Sequence, residues 1–313
     1  MESLDLEAQR LLEASMAKSS HATYSSGVNR FGEFRAGLGL NEVWPAPLQH
    51  IISFISHLSL ERKAPSTIDT YVNALSFFHK INRWEDPTDN FIVKKLKEGA
   101  KRGNKQADSR RPITMDILGK LVNSLSGLCS SSYEVLLFKA SFCLAFFGFL
   151  RVGEITAVSK KGGVANVLSV EDLKFSMDHS SFEINIRSSK TDQRGVGTTL
   201  QFRVGLEPIL CPVKAITEFM KVRPTVMGPL FIHFEGSPLT RYQFNAILKK
   251  GINSLGLPEG EFSSHSFRIG AATSAALSGI PIEHIMDMGR WRSSAVNSYI
   301  RPLKVVVPNS GAL

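Results

Sequence analysis

HSFRIGAATSAALSGIPIEHIMDMGRWRSSAVNSYIRP, residues 265–302, is the stretch from which the rest of the chain can be read. His265 and Arg268 stand three apart. On a helix that spacing means one face, so an imidazole and a guanidinium can converge on a single anion. Ser263 and Ser264 offer N-caps, and the positive end of the helix dipole adds to the pull on negative charge. Gly279 can close this helix, Pro281 can open the next, and Gly289 can end it. Trp291 follows 23 residues after Arg268, and Tyr299 eight residues after Trp291. Ser293 or Ser294 can cap a third, short helix carrying Tyr299, with Pro302 stopping it. Two phosphate-type ligands, a spacer helix, an indole and a phenol on its own helix make a site where a tyrosine attacks a phosphodiester.

Composition sets the frame around that site. The 313 residues suffice for two domains with their own cores, and 43 % hydrophobic residues argue for a folded chain. The net charge of +9 and pI near 9.5 point to a polyanionic partner. The charge is concentrated: Lys94, Lys95, Lys97, Lys101, Arg102, Lys105, Arg110 and Arg111 face only Glu98 and Asp108 over the same stretch. Alone, such a run reads equally as a solvated linker; beside a phosphodiester site it reads as a strap across a DNA backbone. Cys129, Cys143 and Cys211 have no CxxC spacing and are expected as reduced core residues of an intracellular protein, nuclear in a eukaryotic host. MESLDLEAQRLLEASM reads as an acidic amphipathic helix and not as a signal peptide. The most apolar run, LLFKASFCLAFFGFL from Leu136 to Leu150, is too short for a bilayer and reads as a buried helix delivering Arg151, so no membrane partner is expected.

Residues 1–105 read as four or five short helices with no strand pattern. Pro45 precedes LQHIISFISHLSL, and Pro65 opens STIDTYVNALSFFHKI. His50, His57 and His79 read there as surface or packing residues. GAKRGNKQADSRRPIT breaks the pattern, which places a second domain at residues 106–313. Helices run to about Ala157, and then FEINIR and TLQFRV alternate with period two. Phe182, Ile184 and Ile186, and Leu200, Phe202 and Val204, are expected to face inward. SSKTDQRGVG supplies the turn between these strands, with Lys190 near its tip. Helices resume at Val213, break at Arg223 to Ser237, and continue to the end. The fold class is therefore mainly α with a small antiparallel β-sheet, an N-terminal helical bundle preceding an α+β domain.

The 265–302 stretch resembles the C-terminal signature of tyrosine recombinases, the phage-integrase family: H-x-x-R, then His or Trp, then the nucleophilic Tyr. FLRVGEIT places Arg151 and Glu154 where the family keeps its first arginine and its acidic companion. RSSKTDQRG places Lys190 in the turn where it keeps its lysine. Residues 1–105 resemble the core-binding, SAM-like bundle that such enzymes place before the catalytic domain. Many members have nine residues between the His/Trp position and the tyrosine, and counting nine back from Tyr299 lands on Arg290. GRW-x-S-x-A-x-x-x-YIRP looks most like recombinases of eukaryotic mobile elements of the Crypton and DIRS type, where the shorter spacing is usual, and this favours Trp291.

The resemblance implies roles. Tyr299 would attack phosphorus and leave a 3′-phosphotyrosyl bond and a free 5′-hydroxyl, with the bond energy retained and no ATP required. A phenol with a pKa near 10 is a poor nucleophile at neutral pH. Arg151 and Arg268 would therefore stabilise the pentacoordinate phosphate, each supplying on the order of 3 kcal/mol as oxyanion-hole donors do. His265 would accept a proton or hydrogen bond near the phenol, Lys190 would protonate the leaving 5′-oxygen, and Trp291 would turn its indole N–H toward a phosphate oxygen. Glu154 would orient the surrounding cations. Lys94, Lys95, Lys101, Arg102, Lys105, Arg110 and Arg111 would hold the duplex. Lys174, Arg187 and Arg194 rival Lys190 by position. Neither DHSS at Asp178 nor HFEG at His233 offers a second ligand at useful spacing, so no metal and no other cofactor is expected. The expected assembly is a homotetramer on double-stranded DNA, with the apolar tail from Lys304 to Leu313 docking in trans. A DNA-binding protein that has lost catalysis, and a monomeric topoisomerase-like enzyme, are the rival readings.

Overall fold

The computed structural model describes residues 2–103, 108–160, 162–164, 166–187, 196–205 and 209–301. Lys105, Lys190, Arg194, Pro302 and the 304–313 tail lie outside the described residues. The chain divides into two units, Met1–Asp108 and Ser109–Leu313.

The first unit consists of α1 (Glu2–Ala14), α2 (Lys18–Gly37), α3 (Leu48–Leu60), α4 (Pro65–Ile81) and α5 (Phe91–Gly103), with no strand among its described residues. Pro65 occupies the first turn of α4, where its missing N–H costs nothing. Phe31, Ile51, Phe54, Leu58, Leu75 and Val93 close the core. Arg35 lies inside it, 1 % exposed, with its guanidinium 4.4 Å from the Phe31 ring and 4.7 Å from that of Trp44. His79 is a packing residue: the Ala46 N–H donates to Nε2 at 3.0 Å, and Nδ1 lies 2.7 Å from the Leu75 carbonyl.

The second unit is built on α7 (Ser132–Phe147), apolar on every side because it is covered on every side. The Ser131 hydroxyl caps it by accepting the Glu134 N–H at 3.2 Å. α6 (Met115–Leu128), α9 (Pro212–Val222) and α11 (His265–Leu277) pack directly on α7, while α10 (Arg241–Ser254) packs on α6. β1 (Leu173–Phe175), β2 (Ser181–Ile186) and β3 (Thr198–Arg203) form one antiparallel sheet in that order. Phe182, Ile184 and Ile186 are buried as the alternation requires, and Phe182 stacks on Phe202 at 4.7 Å. The third expected position of β3 fails: Val204 is 46 % exposed, lying past the last register pair at Arg203 although its N–H still donates to the Ser180 carbonyl at 2.9 Å. α12 (Ile282–Gly289) and a 3₁₀ turn (Ser294–Ser298) lead to Tyr299.

Candidate active site

Arg151 is delivered by the end of α7. Phe149 adopts a left-handed conformation (φ 48°), and the Leu150 N–H returns to the Ala145 carbonyl at 3.0 Å. Leu150 is buried, and Arg151 begins the single turn α8 (Val152–Ile155). Glu154, third in that turn, reaches back. Its Oε2 accepts the Arg151 backbone N–H at 2.9 Å, and its Oε1 accepts Arg151 Nη1 at 3.2 Å. Glu154 is 5 % exposed, and these hydrogen bonds satisfy its buried oxygens.

Arg268 lies one turn into α11, on the His265 face. The helix is closed at its start by Ser263, whose hydroxyl accepts the His265 N–H at 3.2 Å; Ser264 makes no capping bond. Gly270 gives the preceding segment room to cross this helix. A Cβ there would stand 1.8 Å from the Ile113 carbonyl oxygen, and the Ile113 N–H bonds the Ser266 carbonyl at 3.0 Å. The Arg268 guanidinium is fully buried, with Nη1 donating to the Phe149 carbonyl and Nη2 to that of Gly289. Its Nε has no hydrogen-bond partner among the described residues. Burial, and after it the charges of Arg151 and Arg290, push its pKa down, while Glu154 pulls it back up. The fork expected to face a phosphate faces two carbonyls instead.

Trp291 and Tyr299 cover that cation. The Arg268 guanidinium carbon sits 4.1 Å from the Trp291 ring and 5.5 Å from that of Tyr299. The Tyr299 ring lies 4.8 Å from Trp291 and 4.9 Å from His265, so two of the other three C-terminal candidates flank the phenol's ring and the third, Arg268, lies beneath. Trp291 also packs edge-on against Phe149 at 6.1 Å. Tyr299 differs from expectation in its element: it terminates the Ser293-capped 3₁₀ turn and is not carried on a helix of its own.

Gly289 ends α12 as a helical residue, and the left-handed position after it belongs to Arg290 (φ 56°). With no Cβ at Gly289 the indole can fold back over the helix end; a methyl there would stand 1.7 Å from Trp291 Cζ3. Of Arg290 and Trp291 it is Trp291 that packs on the phenol, because the Arg290 side chain, 6 % exposed, turns to Glu154 and donates Nη2 to Oε2 at 2.8 Å. That ion pair was invisible in the local spacing, since its members are 136 residues apart.

The basic run is divided. Lys94, Lys95, Lys101 and Arg102 are exposed on α5, a helix and not a linker, whereas Arg110 and Arg111 begin the second unit. Lys101 and Lys97 share Asp69 at 2.7 and 3.2 Å, Lys95 pairs with Glu98 at 2.8 Å, and Lys94 stands 3.9 Å from Asp89. Arg111 pairs with Glu261 at 3.4 Å. Such exposed pairs are worth about 0–1 kcal/mol and yield readily to a phosphate. Near the β2–β3 turn, Lys174 is exposed on β1 opposite Glu183, and Arg187 is held by Asp172 at 2.7 Å. Among the described residues no group of three His, Cys, Asp or Glu could hold a metal ion, and no described helix is long and apolar enough to cross a membrane.

A mainly helical unit with a three-stranded sheet, in which His, Arg and Trp surround a C-terminal tyrosine, defines a tyrosine-recombinase type of protein. The profile of the phage integrase family matches residues 122–304, and the chain belongs to that family of DNA-cleaving and -rejoining enzymes. An integrase/recombinase xerD homolog of Selenomonas ruminantium is 28 % identical to it over 331 residues, covering 99 % of this chain and 89 % of the relative. Among solved structures, XerH recombinase in a post-cleavage complex with palindromic difH substrate superposes with a TM-score of 0.65 at 15 % identity, over 90 % of this chain and 76 % of that one. The Tn1549 transposon integrase with transposon right-end DNA gives 0.64 at 13 % identity, over 96 % and 95 %. A lambda integrase dimer on a COC′ core site gives 0.63 at 14 %, over 95 % and 76 %.

Proposed function

We propose that this chain is a site-specific recombinase of a mobile element, of the Crypton or DIRS type by its GRW-x₇-Y spacing, and that Tyr299 is its nucleophile. The observation that carries the reading is the Tyr299 ring held between His265 and Trp291, at 4.9 and 4.8 Å, above a buried guanidinium. Attack of the phenol oxygen on phosphorus forms the 3′-phosphotyrosyl ester and breaks the bond to the 5′-oxygen, which leaves with a proton as a hydroxyl. Rejoining is the reverse reaction, so no energy source is consumed. In this reading His265, whose ring is 4.9 Å from that of Tyr299, takes the phenolic proton, and Lys190 protonates the leaving oxygen.

Arg151 is the arginine a phosphate can reach, its side chain being 22 % exposed. Arg268 is closed off by Trp291 and Tyr299, so the arrangement is a resting one. Engagement of its fork, including the unbonded Nε, follows when the Tyr299 segment shifts on DNA. The partner is double-stranded DNA, a reading supported by the DNA complexes named for the structural neighbours. Residues 1–105 serve as its core-binding domain and 106–313 as the catalytic domain, with Lys94, Lys95, Lys101, Arg102, Lys105, Arg110 and Arg111 on phosphates. Two duplexes and four cuts require a tetramer on DNA, with the 304–313 tail docking in trans. Such a substrate places the protein inside the cell, and in the nucleus of a eukaryotic host.

The test is covalent trapping on a nicked DNA suicide substrate in the presence of EDTA. A protein–DNA adduct that forms there and is lost in Tyr299→Phe supports the reading. An adduct that persists in Tyr299→Phe overturns the assignment, and DNA binding without any adduct supports the catalysis-free alternative.

A further inference from the structure

We propose that Arg290 is a positioning residue for DNA cleavage: it neutralises Glu154 so that the Arg151 fork stays available to the scissile phosphate. The inference rests on the Tyr299 reading and adds a residue to it. Glu154 Oε2 accepts Arg151 N at 2.9 Å and Arg290 Nη2 at 2.8 Å, while Oε1 accepts Arg151 Nη1 at 3.2 Å. Arg151 therefore gives the carboxylate one guanidinium donor, at the longest of the three distances. A guanidinium has five donors, so the rest of the fork remains for an anion. Glu154 is buried, and with Arg151 as its one cationic neighbour its carboxylate would draw that fork into a bidentate pair. Arg290 supplies the second cation and relieves that demand.

The same side chain links two parts of the site. Arg290 lies between Gly289, whose carbonyl accepts from Arg268, and Trp291, which covers Arg268. Its Nη2 also stands 3.5 Å from the Phe149 carbonyl, the acceptor that Arg268 Nη1 uses. The end of α12, from which the Tyr299 segment departs, is thereby fastened to the Phe149–Arg151 turn. Changes at Arg290 should consequently be felt at the phosphate through Arg151.

The experiment compares the unmodified chain with Arg290→Met, Arg290→Lys, Arg151→Ala, Arg268→Ala, Glu154→Gln and the double variant Arg290→Met/Glu154→Gln. Each is given nicked suicide DNA with either a phosphodiester or a methylphosphonate at the scissile position, the latter carrying a methyl group in place of one non-bridging oxygen and therefore no charge. Arg290→Met should slow adduct formation at saturating DNA by roughly 10–100-fold, the range for losing an outer partner of a charged ligand. Its DNA affinity should change by less than about threefold, since the loss falls on the reacting state. Arg290→Lys should regain part of the rate. Adding Glu154→Gln to Arg290→Met should restore rate, because the competing carboxylate charge is then gone. On the methylphosphonate, Arg290→Met and Arg151→Ala should share the same reduced loss and the same stereoisomer preference, and Arg268→Ala should not. An equal loss on both linkages, or a double variant no faster than Arg290→Met, overturns the proposal and leaves Arg290 a packing ion pair. If Arg290→Met does not fold, the two-linkage comparison on Arg290→Lys decides in the same way. If the unmodified chain forms no adduct, the Tyr299 reading itself has failed; an adduct with unshifted Arg290 variants fails this inference alone.

Discussion

Gly289→Ala places a single methyl at the point where the candidate site is most tightly closed. The new carbon would lie 1.7, 2.1 and 2.5 Å from Trp291 Cζ3, Cε3 and Cη2. Carbon atoms pack at about 3.5–4 Å, so the indole would have to retreat by roughly 2 Å. Phe149, Arg268 and Tyr299 pack against the ring, and it cannot retreat without leaving them. Complete expulsion of a tryptophan that buries about 200 Å² would cost about 5 kcal/mol, and overpacked cores that partly relax lose about 1–3 kcal/mol. Alanine recovers up to about 1 kcal/mol over glycine in a helix. The net expectation is a loss of about 1–3 kcal/mol, a Tm lower by roughly 2–10 °C for a domain of this size. Cleavage should fall more steeply than stability, because the lost contacts surround Tyr299. Thermal unfolding and the rate of adduct formation on nicked DNA measure the two. The decisive control is Gly289→Ala in a Trp291→Ala background, where the clash is gone and alanine should be neutral or stabilising. A cost that persists there, or a single variant as stable and as fast as the unmodified chain, would refute the reasoning.

Two further outcomes are expected. Asp86 is 6 % exposed; burial opposes its charge, but hydrogen bonds from Ser76 at 2.5 Å, from the Thr88 hydroxyl at 2.7 Å and from Lys80 at 3.1 Å hold its pKa at about 2. A folded-state pKa below the unfolded value near 3.8 means that this stability is full above pH ~4 and disappears as pH falls toward 2, so Asp86→Asn should cost about 2 kcal/mol in urea unfolding at pH 7 and almost nothing at pH 2. Lys190→Ala should be rescued by a 5′-bridging phosphorothiolate, because a thiolate leaves without a proton, whereas Arg268→Ala should not; rescue of Lys174→Ala instead would move the role to that lysine.

The parts of the fold legible in the sequence were those set by local periodicity. The buried α7 announced itself as an apolar run, and β2 as a strict alternation, because burial on all sides or on one side leaves those signatures directly. β1 is three residues long and carries too little period to be recognised. The spacing of the candidate site residues is legible in the sequence, and their geometry is not. His265, Arg268, Trp291 and Tyr299 follow one another at helical and turn spacings, but what Arg268 faces depends on carbonyls at Phe149 and Gly289 brought together by the tertiary fold. A glycine is the usual left-handed residue after a helix, but after α12 that position falls to Arg290, where the Glu154 ion pair holds the side chain of a residue whose backbone is otherwise disfavoured. Gly289 leaves space for the indole, and its φ is not one that requires glycine.

The central claim is that Tyr299 is the residue that becomes joined to DNA, and the most direct measurement is the chemical identity of that joint. The unmodified chain is incubated with a nicked suicide duplex in EDTA, the adduct is digested with protease and nuclease, and the nucleotide-bearing peptide is sequenced by mass spectrometry. The account predicts a 3′-phosphotyrosyl ester on the peptide containing Tyr299, with a free 5′-hydroxyl on the released strand. A nucleotide carried by Tyr242 or any other residue, a 5′-phosphate linkage, or cleavage abolished by EDTA would contradict it.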